Sequence, residues 1–343
     1  MLNTISDFVK TILPAKRKTS PSGWTSFNAV CCPHNRESAD TRGRGGLAPS
    51  TDNSVSYHCF NCGFKANYKP GRHLNYKFRK LLSWLGASDN DIKRLVIEAI
   101  RVKELISPED LPSEPEEKIE FKTREIPTDA VSFSELRTFL QLTEDEYVTS
   151  PRIKSVIKYV YDRKIDLQKY EFYLSDSTEH SLHQRVIVPC IWEGKTIGYT
   201  ARAFVDGVKP KYYSHYEPNF VFNVNNQLAD AKFVIVCEGP FDAMGIDGVA
   251  ILGNECSEQQ ADIIDSLGRE VIVVADGDRA GDKLIDNAIK YGWNVSFPVW
   301  QETCKDINEA VIKYGKLFVL KSILAGVETS RLKIELMKKR RHN

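Results

Sequence analysis

Acidic residues stand where two apolar strands of this sequence end. Glu238 follows the run FVIVC, and Asp276 and Asp278 follow EVIVV in the segment ADGD. Because ligands of an open parallel sheet bind at the carboxyl ends of its strands, we expect these three side chains to meet at one point. Asp242, four residues after Glu238, and Asp306, at the start of a later helix, could complete the cluster.

This cluster of carboxylates predicts a divalent cation site. Carboxylate oxygens and water select Mg²⁺ or Mn²⁺, and such a cation can neutralise a phosphate and activate an attacking hydroxyl. The alternative is a set of solvated turn residues, since Asp-Gly is common in turns. The combination of E-G-P-x-D, a strand and then D-G-D-x-A-G favours the metal site.

A second cluster combines cysteine and histidine. Cys31 and His34 form a C-x2-H pair, and Cys59 and Cys62 form a C-x2-C pair. Two intervening residues are typical of a tight knuckle, and two such pairs complete a tetrahedral site for a structural Zn²⁺. The aromatic, strand-like sequence around both pairs predicts a zinc ribbon.

Two neighbouring residues compete for the same ion. Cys32 and His58 stand next to the chosen ligands, and the order C-C-P-H leaves the first ligand open between Cys31 and Cys32. We favour Cys31, because Cys32 is too close to His34 in sequence for the usual knuckle.

The segment between the knuckles combines cations with aromatic residues. It carries Arg36, Arg42 and Arg44, and Trp24 and Tyr57 lie near it. Arginines among exposed aromatic rings suit single-stranded nucleic acid, through phosphate contacts and base stacking. A core role for the aromatic residues is the alternative.

Three further cations lie in strand-like sequence before the acids. Arg185 is in QRVIVP, Arg202 in GYTAR and Lys211 in KPKYY. Guanidinium groups offer bidentate contacts to phosphate. By spacing alone, ordinary surface charge is the favoured interpretation of these residues.

Composition indicates several domains with different partners. Residues 1–106 carry 17 Lys and Arg against 8 Asp and Glu, whereas residues 107–149 carry 4 against 12. A basic first module suits an anionic partner such as nucleic acid. We find no apolar run long enough to span a membrane and no signal-peptide order at the N-terminus, so we expect a cytoplasmic protein without a membrane partner.

The pattern of elements predicts an α+β, multidomain chain. Mixed β sequence over residues 183–205 is followed by alternating short apolar strands and helices, which is typical of a parallel sheet. We expect these segments: a zinc-binding domain at 1–106, an acidic linker at 107–129, a mixed α/β subdomain at 130–230, an α/β catalytic subdomain at 231–325 and a basic tail at 326–343.

These motifs, in this order, resemble bacterial-type, DnaG-like DNA primases. The paired knuckles are similar to their zinc-binding domain, and QRVIVP, GYTARA and KPKYY to strands of their RNA polymerase core. The segments VCEGPFDA, ILGN, VVADGDRAG and KDINEA resemble the toprim domain. The layout looks most like the stand-alone primases of T-even-type phages.

The resemblance implies synthesis of short RNA primers from ribonucleoside triphosphates on single-stranded DNA during replication. It implies Glu238, Asp276 and Asp278 as the catalytic acids, with Asp242 and Asp306 nearby. It also implies that Arg185, Arg202 and Lys211 bind nucleotide or template, and that the zinc module helps to select the initiation site.

Partners and rival functions follow from the same motifs. We find no G-x4-G-K-[ST] loop, so we expect a replicative helicase to be supplied by a separate chain. The alternatives are a toprim-type nuclease or topoisomerase, and a zinc-ribbon DNA-binding protein without catalysis.

Overall fold

A computed structural model describes most of the chain. The described residues are 4–35, 37–48, 50–72, 74–106, 119–135, 151–228, 231–267, 269–300 and 304–342. Contacts divide the chain into two compact units: Met1–Lys118 with Ala261–Arg269, and Ile119–Gln260 with Glu270–Asn343.

The first unit is built on a five-stranded antiparallel sheet with strand order β1-β2-β3-β4-β5. Its helices and strands are α1 Thr4–Ile12, β1 Arg17–Thr19, β2 Thr25–Phe27, β3 Gly45–Leu47, β4 Val55–Cys59, β5 Lys65–Tyr68, α2 Tyr76–Trp84 and α3 Asp89–Leu105.

Strand alternation places one face of this sheet in the core. Val55, Tyr57 and Cys59 are buried along β4, and the residues between them point to the other face. Helix α3 begins at Ser88, whose hydroxyl accepts the backbone N–H of Asp91 at 3.2 Å, and the Asp91 carboxylate accepts the N–H of Ser88 in return. This capping box fixes where the helix starts.

The second unit contains two sheets. The first is antiparallel, with strand order β10-β9-β8-β7-β6. Its strands, with the helix inserted among them, are β6 Ala130–Ser132, α4 Pro151–Asp162, β7 Tyr173–Ser175, β8 Arg185–Trp192, β9 Lys195–Ala203 and β10 Tyr212–Tyr216.

The second sheet has order β12-β11-β13-β14-β15 and is parallel except for β15. Its elements in chain order are β11 Phe233–Cys237, α5 Pro240–Ile246, β12 Val249–Ala250, α6 Glu258–Ser266, β13 Glu270–Val273, α7 Asp282–Tyr291, β14 Asn294–Ser296, α8 Ile307–Tyr314, α9 Lys316–Ala325, β15 Val327–Glu328 and α10 Arg331–Arg340. The predicted alternation of strands and helices and the α+β class are confirmed.

The strand register brings the expected acids to one edge. Val236 of β11 pairs with Val273 of β13, so both strands end at the same level. Glu238 and Asp276 follow those ends. Short, buried strands such as these read as continuous apolar runs because helices cover both faces of the sheet.

Two segments differ from the expected organisation. Part of the expected linker packs as core: Phe121 contacts Trp192 edge-on with centroids 5.1 Å apart, and the Trp192 indole donates to the Ile119 carbonyl at 3.1 Å. Residues 107–118 lie outside the described residues. The expected basic tail forms β15 and α10, with Ile334 buried. Among the described residues, we find no helix long and apolar enough to cross a membrane.

Candidate zinc and acidic sites

Four cysteine sulfurs meet beneath the antiparallel sheet of the first unit. Cys31, Cys32, Cys59 and Cys62 place all four sulfur atoms within 4.8 Å of one another. Cys31 lies 3.4 Å from Cys62, and Cys32 lies 3.6 Å from Cys59. These separations exceed a disulfide bond and match the spacing of about 3.8 Å that ligands at about 2.3 Å impose around a tetrahedral Zn²⁺. The cluster fits a structural zinc.

The fourth member of the cluster differs from the expectation. His34 is not gathered with the sulfurs; its ring stacks on Trp84, with centroids 4.7 Å apart and planes 5° from parallel. Residues 32–35 form a 3-10 turn, which lets the adjacent Cys31 and Cys32 face the same point. The geometry therefore replaces His34 by Cys32, and both cysteines that competed for the first position belong to the cluster.

Hydrogen-bond donors surround the sulfurs. Asn61 donates its side-chain N–H to Cys32 at 3.3 Å and its backbone N–H to Cys59 at 3.4 Å, and Asn35 donates to Cys62 at 3.7 Å. Burial raises the pKa of Cys59, but backbone hydrogen bonds from Cys62 and Asn61 outweigh it and lower that pKa overall. Donors of this kind favour the thiolate, the form that binds metal.

Asp40 ties this region together and was missed from sequence. Its buried carboxylate accepts the backbone N–H groups of Ala29, Arg42 and Arg44 and the Arg44 guanidinium at 2.7–3.0 Å. Burial alone would raise the pKa of Asp40, but these donors hold it well below its usual value. Arg44 also donates to Asn61 at 2.5 Å, which links the carboxylate to a residue that supports the sulfurs.

Ligand identity gives the first testable prediction. Purified protein should contain about one zinc per chain, the capacity of one four-ligand site. Cys32→Ser should lose that zinc because it removes a sulfur from the cluster. His34→Ala should keep it, because the imidazole packs on Trp84. Metal analysis of both variants distinguishes the ligand sets, and zinc lost from His34→Ala but kept by Cys32→Ser would contradict the four-cysteine assignment.

The expected acids gather at the carboxyl edge of the parallel sheet. Backbone donors hold most of them: Glu238 accepts the N–H of Asp276 at 3.1 Å, and Asp278 accepts that of Gly281 at 3.0 Å. In the same way, Asp242 accepts the N–H of Asn308 at 2.8 Å. Asp306 caps the start of α8 by accepting from Glu309 at 2.8 Å. Four of the five carboxylates thus have a backbone anchor of their own.

Crowding of these acids shows in their electrostatics. Burial, followed by Glu238, Asp306 and Asp278, raises the pKa of Asp276 from 3.8 to about 7. Burial, followed by Asp306 and Asp276, raises the pKa of Asp242 to about 7 as well. A bound cation would relieve this repulsion, so the donor set suits a divalent metal. Within the described residues, only the cysteine cluster brings three or more such ligand atoms together within 4.8 Å.

Gly281 allows the acids to approach one another. A Cβ at this position would lie 2.4 Å from the Asp276 carbonyl and 3.0 Å from a Glu238 carboxylate oxygen. The start of α7 can therefore lie directly against Glu238 only because residue 281 has no side chain. This explains the glycine in D-G-D-x-A-G.

The three expected cations occupy different environments. Lys211 is exposed and close to the acids. Its pKa is lowered overall, because partial desolvation and Arg202 outweigh the opposite effect of Asp306 and Asp242. Arg202 is buried, donates to the Tyr159 hydroxyl at 2.6 Å and lies 4.8 Å over the Phe241 ring.

Arg185 differs from the expected phosphate ligand. It is fully buried, and its guanidinium donates to the carbonyls of His180, Pro210 and Lys211 at 3.3, 2.6 and 3.1 Å. Two of these three acceptors lie in the backbone just before the start of β10. The placement speaks against direct contact with phosphate and makes Arg185 a residue that holds the Lys211 segment.

Arg163 joins this region without any prior signal. It follows α4, lies 5.3 Å over the Phe241 ring, and donates to the side chain of Asn308 at 2.6 Å. Asn308 in turn binds Asp242 through its backbone N–H. Phe241 therefore carries two guanidinium groups, Arg163 and Arg202, beside the acids. No motif marks Arg163; only the fold brings it here.

Part of this chain is similar in sequence to known proteins. Residues 235–311 match the family described as Toprim-like. A DNA primase of Aquifex aeolicus (strain VF5) is 25% identical over 152 residues, which are 39% of this chain and 30% of that protein. The chain is a relative of bacterial-type DNA primases. The alignment spans less than a third of that primase.

Solved primase structures resemble the chain at lower identity. The DnaG catalytic core is 19% identical, covering 60% of this chain and 83% of its own, with a TM-score of 0.46. The Aquifex aeolicus primase, with zinc-binding and RNA polymerase domains, is 19% identical and covers 99% and 89%, with a TM-score of 0.44.

The raised pKa values of the acids give a second prediction. Between pH about 4 and about 7, the folded chain keeps protons on Asp276 and Asp242 that the unfolded chain has released, so stability should fall as pH rises through this window. In zinc-loaded protein without added Mg²⁺ or Mn²⁺, Asp276→Asn should lose less thermal stability from pH 5 to pH 8 than the unaltered chain.

The control is Asp206→Asn, which removes an exposed acid outside the cluster. Added Mg²⁺ should raise the melting temperature of the unaltered chain at pH 8 more than that of Asp276→Asn. Identical pH profiles for Asp276→Asn and the unaltered chain would show that the acids do not repel one another in the folded state.

Proposed function

We propose that the chain is a DNA primase, which synthesises short RNA primers from ribonucleoside triphosphates on single-stranded DNA during replication. The observation that carries the proposal is the meeting of five carboxylates with Lys211, Arg163 and Arg202 in one unit. An acidic metal site beside cations suits a triphosphate, whose charge needs both. The Toprim-like match and the Aquifex relative support the same activity.

In this mechanism the acids would hold the metal, and Lys211 would bind phosphate. Glu238, Asp276 and Asp278 would bind Mg²⁺ or Mn²⁺, with Asp242 and Asp306 nearby; the ion supplies charge neutralisation and lowers the pKa of the attacking hydroxyl. Lys211 orients the phosphates of the incoming nucleotide, while Arg202 and Arg163 add fixed positive charge. The 3′-hydroxyl loses its proton to solvent, its oxygen forms a bond to the α-phosphorus, and the bond from that phosphorus to the leaving pyrophosphate breaks.

Buried cations shape this site without touching substrate. Arg185 fixes the carbonyls of Pro210 and Lys211, so it sets where the Lys211 side chain starts. Arg202 is restrained by the hydroxyls of Tyr159 and Tyr212. Preorganised charge of this kind costs no rearrangement during the reaction.

The outer face of the zinc-module sheet suits the template strand. One row of paired residues crosses all five strands: Lys18, Ser26, Gly46, His58 and Lys65. Trp24 stands two positions before Ser26, just outside β2, and Phe60 stands two positions after His58, just outside β4. This face has cations at both edges and aromatic rings between them, the combination that binds single strands by phosphate contact and stacking.

The rings form one continuous surface. Trp24 and Phe60 have centroids 5.6 Å apart, and His58 and Phe60 are 4.4 Å apart. A Cβ on Gly46 would lie 2.8 Å from the Trp24 indole, so the glycine lets the indole lie flat on the sheet. Phe60 is 66% exposed. Tyr57, by contrast, is buried with its hydroxyl 3.3 Å from the Cys31 sulfur, so the expected exposed ring is a core residue; Arg36 lies outside the described residues.

The remaining assignments complete the proposal. A structural Zn²⁺ would hold the module at residues 1–106, and the polymerase core would comprise a mixed subdomain at 130–230 and a toprim subdomain at 231–325. A separate replicative helicase would deliver the enzyme to exposed single strands in the cytoplasm.

Primer synthesis by acid variants is the third prediction. Asp276→Asn, Asp278→Asn and Glu238→Gln preserve side-chain size but remove the charge that binds metal. Each should lose dinucleotide synthesis at least about a hundredfold, the scale of losing a key electrostatic element of a transition state. Each should still retain zinc and bind single-stranded DNA. The assay is dinucleotide formation across a Mg²⁺ and Mn²⁺ titration, with thermal melting to check folding.

Three outcomes would count against the primase. Near-normal synthesis by Asp276→Asn at low Mg²⁺ would remove the proposed active site. Cleavage of single-stranded DNA by the unaltered chain, with no RNA made from ribonucleotides, would favour the toprim-type nuclease. Zinc-dependent DNA binding with neither reaction would favour a non-catalytic zinc-ribbon protein.

Template binding by the aromatic face is the fourth prediction. Phe60→Ala should weaken binding of a short single-stranded DNA about tenfold, since stacking on a ring contributes about 1–3 kcal/mol per base. Fluorescence anisotropy measures this, and zinc content checks the module. The control is Tyr161→Ala, which removes a ring that is 67% exposed and lies on α4 of the second unit. Equal affinity of Phe60→Ala and Tyr161→Ala would place the template elsewhere.

A further inference from the structure

Helix α10 is anchored on α7 of the parallel sheet. Ile334 is buried, and the Lys338 ammonium binds both carboxylate oxygens of Asp286 at 2.6 and 2.7 Å. Four residues after Lys338, just past the end of α10, His342 lies 3.1 Å from Asp282, which is one turn before Asp286 on α7. The two helices therefore run antiparallel, and the end of α10 reaches the start of α7.

That end places Arg341 against the backbone that leads into the acidic site. Its guanidinium donates to the carbonyls of Ala275, at 3.2 Å, and Asp276, and lies 3.7 Å from the Asp282 carboxylate. Its side chain is 15% exposed. One side chain thus joins the backbone that carries the acids to the first turn of α7.

The peptide groups of Asp276 are held from both sides. Its N–H is donated to Glu238, and its carbonyl accepts from Arg341. The peptide groups on both sides of Asp276 are therefore restrained. The orientation of its carboxylate follows from that of its backbone. The Arg341 charge also lowers the pKa of Glu238, although burial raises it more.

We infer that Arg341 is a positioning residue, which orients the Asp276 backbone so that the acids can bind a divalent cation. This inference rests on the proposed function of the acids but concerns a residue outside every motif of the site. A planar guanidinium can bond two carbonyls and face a carboxylate at once, whereas a lysine ammonium lacks this fork.

The two possible roles of Arg341, as a positioning residue or as a simple charge, predict opposite effects of its removal on metal binding. Arg341 is a cation beside a cation site, so removing only its charge should tighten metal binding. If its role is to orient Asp276, removal should weaken binding instead. Supporting residues behind metal ligands typically change metal affinity about 10- to 100-fold.

The experiment measures Mn²⁺ binding directly, by the electron paramagnetic resonance signal of free Mn²⁺ in titrations of zinc-loaded protein. We expect Arg341→Gln and Arg341→Lys each to bind Mn²⁺ about tenfold more weakly than the unaltered chain. Arg340→Gln is the matched control, because it removes the same charge from the adjacent, exposed position. Thermal melting checks folding, and Arg341→Lys, which keeps the charge, serves if Arg341→Gln is unstable.

The outcomes separate this inference from the proposed active site. Unchanged or tighter binding in Arg341→Gln, normal binding in Arg341→Lys, or an equal loss in Arg340→Gln would overturn the role of Arg341. Failure of the proposed site has a different result: the unaltered chain and Asp276→Asn would bind Mn²⁺ equally.

Discussion

Repulsion among the carboxylates at the carboxyl edge of the parallel sheet is the constraint on which the rest of the second unit depends. Asp276 and Asp242 have pKa values raised to about 7 by burial and by their acidic neighbours. Such a cluster persists because four of the five acids are each fixed by a backbone N–H, for example Glu238 by Asp276 and Asp242 by Asn308. The repulsion therefore lowers the stability of the folded chain, and relieving it makes binding of a cation more favourable.

The same side-chain type behaves oppositely in the zinc module. Asp40 is as deeply buried as Asp242, yet its pKa is held low because three backbone N–H groups and the Arg44 guanidinium donate to it. Asp242 receives one backbone donor among like charges. Burial alone does not distinguish an acid that organises structure from one that is suited to bind a cation. The balance between hydrogen-bond donors and neighbouring acids distinguishes them.

The alternation of strands and helices and the acidic cluster could be predicted from sequence because both depend on local patterns: apolar runs, glycines and the residues that end strands. The parallel sheet and the positions of Glu238, Asp276 and Asp278 follow from these. The zinc ligands show the limit, since a 3-10 turn, which spacing rules do not anticipate, turns adjacent Cys31 and Cys32 to one point. Arg163 lay beyond prediction because chain folding, and no motif, brings it to the acids.

Arginine in a basic segment is a weak sign of a phosphate contact, and this chain shows the physical reason. Arg185 and Arg341 both direct their guanidinium groups to backbone carbonyls, and each fixes a segment that carries a functional side chain: Lys211 in one case and Asp276 in the other. A guanidinium is suited to this because it is weakly hydrated and has five donors in a plane. An ammonium is strongly hydrated and binds best where water and phosphate can reach it. In the proposed function, the exposed Lys211 would therefore meet the substrate, while Arg185 and Arg341 would determine where the side chains of the site stand.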